Sequence, residues 1–323
     1  MGETGKTNPY LFVVGCPRSG TTLLQRMLDA HAQLTVANDT HFIPKAVQDL
    51  EVVGDLPLTG ELVERVRGYH RFPRLGVPDE AVDEAAARAG TYGEFVALLY
   101  DALATRHGKP LAGEKTPDYC REIPVLHALF PAARFVHIVR DGRDVALSVL
   151  EWAHEGKGPG RKALWREQPV GVSALWWRDM VETGRRDGAG VGDATYHELR
   201  YEDLVADPAG RLRTLSRFLD LPYDEGMAGF AEGRTREKPG RDAKKAWLPA
   251  TRGLRDWSTA MDERSVQLFE ALAGDLLSDL GYPRRHERFP AEIAAVADRC
   301  RKWWDDDRAA RPQRTRSPVS EVE

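Results

Sequence analysis

The stretch YLFVVGCPRSGTTLLQRMLDAH, residues 10 to 31, decides the fold. Leu11 to Val14 is an unbroken apolar run of strand length, closed by Gly15. Gly15 and Gly20 bracket four residues. Leu23, Leu24, Met27 and Leu28 then recur at helical spacing, with Thr21 or Thr22 placed to cap the helix. This is the outline of a phosphate-cradling loop, G-x-x-x-x-G-K-[ST], with Thr21 where the lysine belongs. What remains is the set of backbone N–H groups from Arg18 to Thr22, the helix dipole and the hydroxyls of Ser19, Thr21 and Thr22. Such a set binds an anion, and the missing lysine disfavours a triphosphate. Arg18 supplies positive charge from the loop itself.

A second strand–turn–helix unit follows in ARFVHIVRDGRDVALSVLEWAHE: a strand from Phe135 to Val139, a turn at Asp141-Gly142, then a helix. Between the two units, QLTVAND reads as a short strand ending in a polar turn, and TYGEFVALLYDALATRHGK as a helix stopped by Gly108. Farther on, VSALWWRDMVETGRR reads as an amphipathic helix and ATYHELRYEDL as a strand leading into a turn. DPAGRLRTLSRFLDLPYD is a helix with Pro208 near its start, and DERSVQLFEALAGDLLSDLGY a closing helix capped by Asp262. Strands alternating with helices predict an α/β fold: a P-loop NTPase-like central parallel sheet with helices on both faces. In such a sheet ligands sit beyond the carboxyl ends of the strands, where both glycine turns converge.

At 323 residues the chain is expected to form one α/β domain over 10–285, after a flexible stretch 1–9. A C-terminal helix over 286–305 and a disordered tail over 306–323 complete it. A formal net charge of −4 argues against nucleic acid or a membrane surface as partner. Three cysteines (Cys16, Cys120 and Cys300) show no metal-ligand spacing and fit a reduced, cytoplasmic protein. Cys16 reads as a small side chain packed between strand and helix, or as a reactive thiol. No apolar run reaches the roughly 18 residues of a transmembrane helix, and the N-terminus has no signal-peptide core.

PRSGTTLLQRMLDAH resembles the 5′-phosphosulfate loop of sulfotransferases that use 3′-phosphoadenylyl sulfate (PAPS), in wording closest to tyrosylprotein sulfotransferases and their bacterial relatives. FVHIVRDGRDVALSV resembles the same family's 3′-phosphate motif, a strand with Arg140 at its end and Ser148 eight residues later. With GEKTPDY, LRYEDL, RGLRDW and the closing helix, the likeness covers about residues 10 to 282. The resemblance implies PAPS as co-substrate, PAP (its desulfated product) and no metal.

It also implies roles. Arg18 and Lys115 would stabilise charge on the leaving side. A glutamate precedes the threonine of ANDTHFIP in the family; here the position is Asp39, the first candidate for general base, with roughly 1.5 Å less reach. His41 is the second, with an ordinary pKa suited to base work near neutrality. Arg18, Ser19, Gly20, Thr21 and Thr22 would hold the 5′ side, Arg140 and Ser148 the 3′-phosphate, and Tyr201 would lie against the adenine. From the basic loop, Lys244, Lys245 and Arg252, we single out Lys245 and Arg252 as closing over the 3′-phosphate.

The acceptor is expected to be a small-molecule, glycan or lipid hydroxyl, framed by residues 45–110 and 151–171. Trp152, Trp165, Trp176 and Trp177 read as core or as an aromatic pocket, and self-association into a homodimer is left open. Two other readings stand beside this one: a divergent P-loop kinase using ATP and Mg²⁺ with Asp141 as metal ligand, and a non-catalytic PAPS- or PAP-binding protein.

Overall fold

The structure, a computed structural model, describes residues 6–153, 158–231 and 256–310. β1 (Leu11–Val14) runs through the glycine loop into α1 (Thr21–Asp29) and on to β2 (Leu34–Asn38). Four helices follow: α2 (Phe42–Ala46), α3 (Gly60–Arg67), α4 (Asp79–Arg88) and α5 (Tyr92–Arg106). α5 opens on a reciprocal capping box between Thr91 and Glu94, which satisfies two otherwise orphaned N–H groups. β3 (Leu111–Lys115), α6 (Ile123–Leu129), β4 (Arg134–Val139) and α7 (Gly142–Ala153) come next. The chain continues through α8 (Pro169–Val191), β5 (Tyr196–Arg200), α9 (Tyr201–Ala206) and α10 (Pro208–Phe218). After the segment outside the described residues come α11 (Trp257–Ala260), α12 (Glu263–Asp279) and α13 (Ala291–Ala309).

The five strands pair in parallel in the order β2-β3-β1-β4-β5. Their side chains alternate between two cores, as the two-residue period of a strand requires. Phe12, Val14, Phe135 and Val139 face a core shared with α5, α7, α8 and α12. Leu11, Val13, Val136 and Ile138 face the other, shared with α1 and α10. This is the expected P-loop NTPase-like arrangement, a parallel sheet covered on both faces.

Four local expectations change. Neither threonine caps α1: the cap is Gly20, at φ 95°, with no side-chain hydrogen bond. The turn expected after β5 is the short helix α9. β3 was not anticipated, because LAGEK has neither β-branched residues nor alternation, yet it lies between β2 and β1 with all five residues buried. The last helix, expected over 286–305, runs from Ala291 to Ala309 and so takes in the start of the expected tail, and residues 311–323 lie outside the described residues.

Candidate active site

Each strand delivers one element of the site from its carboxyl end. β1 leads into the glycine loop, β2 into Asp39, and β3 ends on Lys115; Arg140 follows β4 and Tyr201 follows β5. With strands about 4.8 Å apart, these five positions span about 19 Å along one edge of the sheet. Asp39 and Lys115 stand at one end, Arg140 and Tyr201 at the other, and the loop between them.

Both glycines of the loop are required by close approach. A Cβ on Gly15 would stand 2.5 Å from the Ile138 carbonyl oxygen, and one on Gly20 2.3 Å from the Tyr201 ring. Both positions also have positive φ, as does Arg18 at 78°. The Ser19 N–H is used inside the loop, donating to the Cys16 carbonyl at 3.1 Å. The Ser19 hydroxyl is fully buried and has no partner among the described residues. Such an orphan costs stability unless a ligand satisfies it. Cys16 is itself fully buried, and burial pushes its thiol well up, so it packs rather than reacts.

The two sequence motifs meet. Arg18 Nε donates to Ser148 Oγ at 2.8 Å, joining the loop after β1 to the helix after β4. Arg140 is buried, paired with Asp144 at 3.1 Å, and stands 4.4 Å over the Tyr201 ring centroid. Its Nε has no partner among the described residues. Trp177 Nε1 donates to the Arg140 carbonyl at 3.2 Å, fixing the turn from behind. Trp165, Trp176 and Trp177 are all buried, so these indoles belong to the core. Trp152 packs against Trp176 at 6.4 Å between ring centroids.

Arg143 had no assigned role in the sequence, and it is fully buried. It binds Asp141 through Nε at 3.0 Å and Nη2 at 2.7 Å, Glu270 through Nη1 at 2.6 Å and the Pro283 carbonyl through Nη2 at 2.8 Å. Its guanidinium stacks 3.5 Å from the Trp257 ring centroid. These contacts tie the turn after β4 to α11 and α12. Both Asp141 oxygens are thereby committed to Arg143, against the metal-ligand role of the kinase reading. No cluster of three or more metal-ligating side chains occurs among the described residues.

At the other end, Lys115 Nζ pairs with Asp39 Oδ2 at 3.1 Å, and Lys115 is 1% exposed. Asp39 and His41 both adopt left-handed backbone, at φ 56° and 59°. His41 stands 4.0 Å from Asp39 and 3.8 Å from Asp118, with burial and the cations Arg71, Lys115, Arg74 and Lys45 pulling its pKa down to about 3. Desolvation and four positive neighbours outweigh the two carboxylates. The basicity that favoured His41 as a proton acceptor is therefore lost in the fold. Sequence reading also missed Glu114, a fully buried carboxylate beside Lys115. Lys244, Lys245 and Arg252 lie outside the described residues. A cavity of about 510 Å³ between α8, α12 and α13 is lined by ion pairs such as Arg178–Asp275 and by none of the candidate residues.

A family model described as the sulfotransferase family matches residues 9–225 of the chain. The chain belongs to the sulfotransferase family. The expectation of a family enzyme on a P-loop NTPase-like sheet is thus borne out. Among curated relatives, protein-tyrosine sulfotransferase 1 of Danio rerio is 28% identical over 286 residues, covering 86% of this chain and 73% of that protein. Protein-tyrosine sulfotransferase A of Caenorhabditis elegans is 25% identical over 226 residues, covering 68% of this sulfotransferase but only 52% of its relative. The sulfotransferase domain from the Synechococcus PCC 7002 olefin synthase superposes with a TM-score of 0.59 at 23% identity, over 87% of this chain and 98% of that one, and so shares the fold. No helix among the described residues is long and apolar enough to cross a membrane.

Proposed function

We propose that this sulfotransferase moves the sulfuryl group of PAPS to a hydroxyl of a small-molecule, glycan or lipid acceptor. The observation that carries the reading is the 2.8 Å contact between Arg18 and Ser148, which makes two separated anion motifs into one site. The residues fit the nucleotide: the orphaned, buried Ser19 hydroxyl and Arg140 Nε are donors suited to anionic oxygens. PAPS, when bound, supplies a sulfuryl group on a phosphate leaving group. The loop from Arg18 to Thr22 would hold the 5′ side; Arg140, Ser148 and Tyr201 would hold the 3′ side, with Lys245 and Arg252 proposed to close over it.

Asp39 is the proposed proton acceptor for the hydroxyl, ahead of His41. Lys115 and Arg18 would meet charge building on the leaving side, in the place a metal takes in phosphoryl transfer. The Asp39–Lys115 ion pair couples these two tasks. A proton arriving on Asp39 weakens its hold on the ammonium, which is then available to the leaving oxygen. Residues 45–110 and 151–171 are proposed to frame the acceptor. Three cysteines, all unpaired and buried, fit a reducing, cytoplasmic setting.

The test is a melting experiment with PAP, ADP and ATP, followed by transfer from labelled PAPS to a panel of hydroxyl compounds. PAP is expected to raise the melting temperature far more than ADP or ATP. Equal shifts, or magnesium-dependent consumption of ATP, would overturn the reading.

A further inference from the structure

Glu114 is a carboxylate sealed in the protein with three donors aimed at it. Its Oε1 accepts from the Thr40 N–H at 3.0 Å and from the Thr116 hydroxyl, and its Oε2 from the Tyr100 hydroxyl at 2.8 Å. Burial pushes its carboxyl pKa up despite those donors. Placing a carboxyl group there is costly, so its contacts must repay it in structure or in chemistry.

Thr40 lies between the two candidate proton acceptors, and both of its neighbours are in left-handed backbone. Aspartate and histidine tolerate that region better than most residues, but it is still sparsely populated and persists only where surroundings impose it. The imposing contacts come from several elements. The Asp39 N–H donates to the Lys115 carbonyl at 2.7 Å, and the Ile43 N–H to the Tyr119 hydroxyl at 3.2 Å. The Tyr92 hydroxyl donates to the Ile43 carbonyl at 2.8 Å. Glu114 holds the backbone N–H of the residue between Asp39 and His41, and it does so from the strand position next to Lys115.

We propose that Glu114 is the positioning residue of the proton-accepting loop: its buried carboxylate holds the Thr40 N–H and so sets Asp39 and His41 in register with Lys115. This rests on the transfer reaction proposed above, but holds whichever of the two side chains takes the proton. Glu114 touches neither substrate nor nucleotide and acts only through the loop.

Three variants test it, with turnover, PAP affinity and exchange of the Thr40 amide hydrogen read on the full chain. Glu114→Ala removes the acceptor, and Glu114→Asp keeps the charge but withdraws it by roughly 1.5 Å. Both are expected to lower kcat on the order of 10²-fold, to leave PAP affinity unchanged and to expose the Thr40 amide to exchange. Glu114→Gln keeps an acceptor oxygen, and the Tyr100 hydroxyl can turn to accept from its amide. It is expected to recover most of the lost turnover and the amide protection. If the alanine variant does not fold, the aspartate variant carries the test, its folding checked by the PAP-induced melting shift. Parental kcat in the aspartate variant, or a Thr40 amide as protected there as in the parent, overturns the inference. So does a glutamine variant as slow as the aspartate one. Failure of the parent to bind PAP would overturn the proposed function instead, while amide exchange would still decide whether Glu114 holds the loop.

Discussion

The two ends of the site are built on opposite plans. The Arg18–Arg140 end is assembled from contiguous motifs, each a strand, a glycine turn and a helix, and its polar groups are partly unsatisfied: the Ser19 hydroxyl and Arg140 Nε have no partner among the described residues. The Asp39–Lys115 end has its charges paired internally, although Asn38 Oδ1 and Thr40 Oγ1, on either side of Asp39, are also buried without a partner among the described residues. Its ion pair is closed, its lysine is 1% exposed and its loop is pinned by a buried carboxylate. One end waits for a ligand's charges, whereas the other stores its own in a strained backbone. A site of this kind should separate 3′-phosphate binding by Arg140 from proton transfer at Asp39, because the two lie on different strands, with Arg18 on the loop between serving both.

The strongest way to break that contrast is Asp39→Asn. It should lower kcat by roughly 10²- to 10⁴-fold while leaving the PAP-induced melting shift in place, and loss of PAP binding would mean the two ends are not separate. Next comes Arg143→Met, which leaves Asp141 and Glu270 buried without their shared cation. About 3–5 kcal/mol of stability should be lost, visible as a lower denaturation midpoint. An unchanged midpoint would remove Arg143 as the brace of the turn after β4.

Arg140→Ala should act on binding, weakening PAP by about 1.5–3 kcal/mol, or roughly 10- to 150-fold, with less effect on kcat at saturation. Equal loss in both parameters would erase the division of labour.

Proton linkage offers a finer cut. His41, just after the edge strand β2, and His137, within the interior strand β4, are both pulled down to about 3, chiefly by burial. Unfolded, each takes up a proton near pH 6.5, so the unfolded chain binds more protons between pH 3 and 6.5. Stability is therefore full above that window and falls as pH drops through it, by up to about 1.4 kcal/mol per pH unit for each histidine. His41→Asn, which suits a left-handed position, should remove one share of that slope and leave the other. An unaltered slope would show that His41 does not titrate between folded and unfolded chains as its burial implies. The smallest effect belongs to Ser148→Ala. Losing the Arg18 contact should cost about 0.5–1.5 kcal/mol, seen as a few-fold change in PAP affinity.

The same contrast explains what was legible in the sequence. The glycine loop, Arg140 and Ser148 sit in local patterns whose meaning needs no distant residue, and the parallel sheet follows from their repetition. Arg143 showed no sign of burial because its partners Glu270 and Pro283 lie 127 and 140 residues away. Glu114 reaches back 74 residues to Thr40, so neither the strand it occupies nor the loop it holds announces the contact. The pKa of His41 could not be read either, since it depends on which cations the helices after β2 bring near. Local chemistry is written along the chain; satisfied, long-range chemistry is not.

The strands' shared direction has a practical corollary. The candidate residues that leave the described strands do so at one rim, and the opposite rim, where the chain turns into β5 through residues 192–194, carries none of them. That turn is exposed; Gly192 has open space around it but a φ of 82° that a side chain would strain, so Asp193 and Ala194 are the positions to use. A reporter group or a tether to a solid support belongs there, with the reacting rim left facing solution.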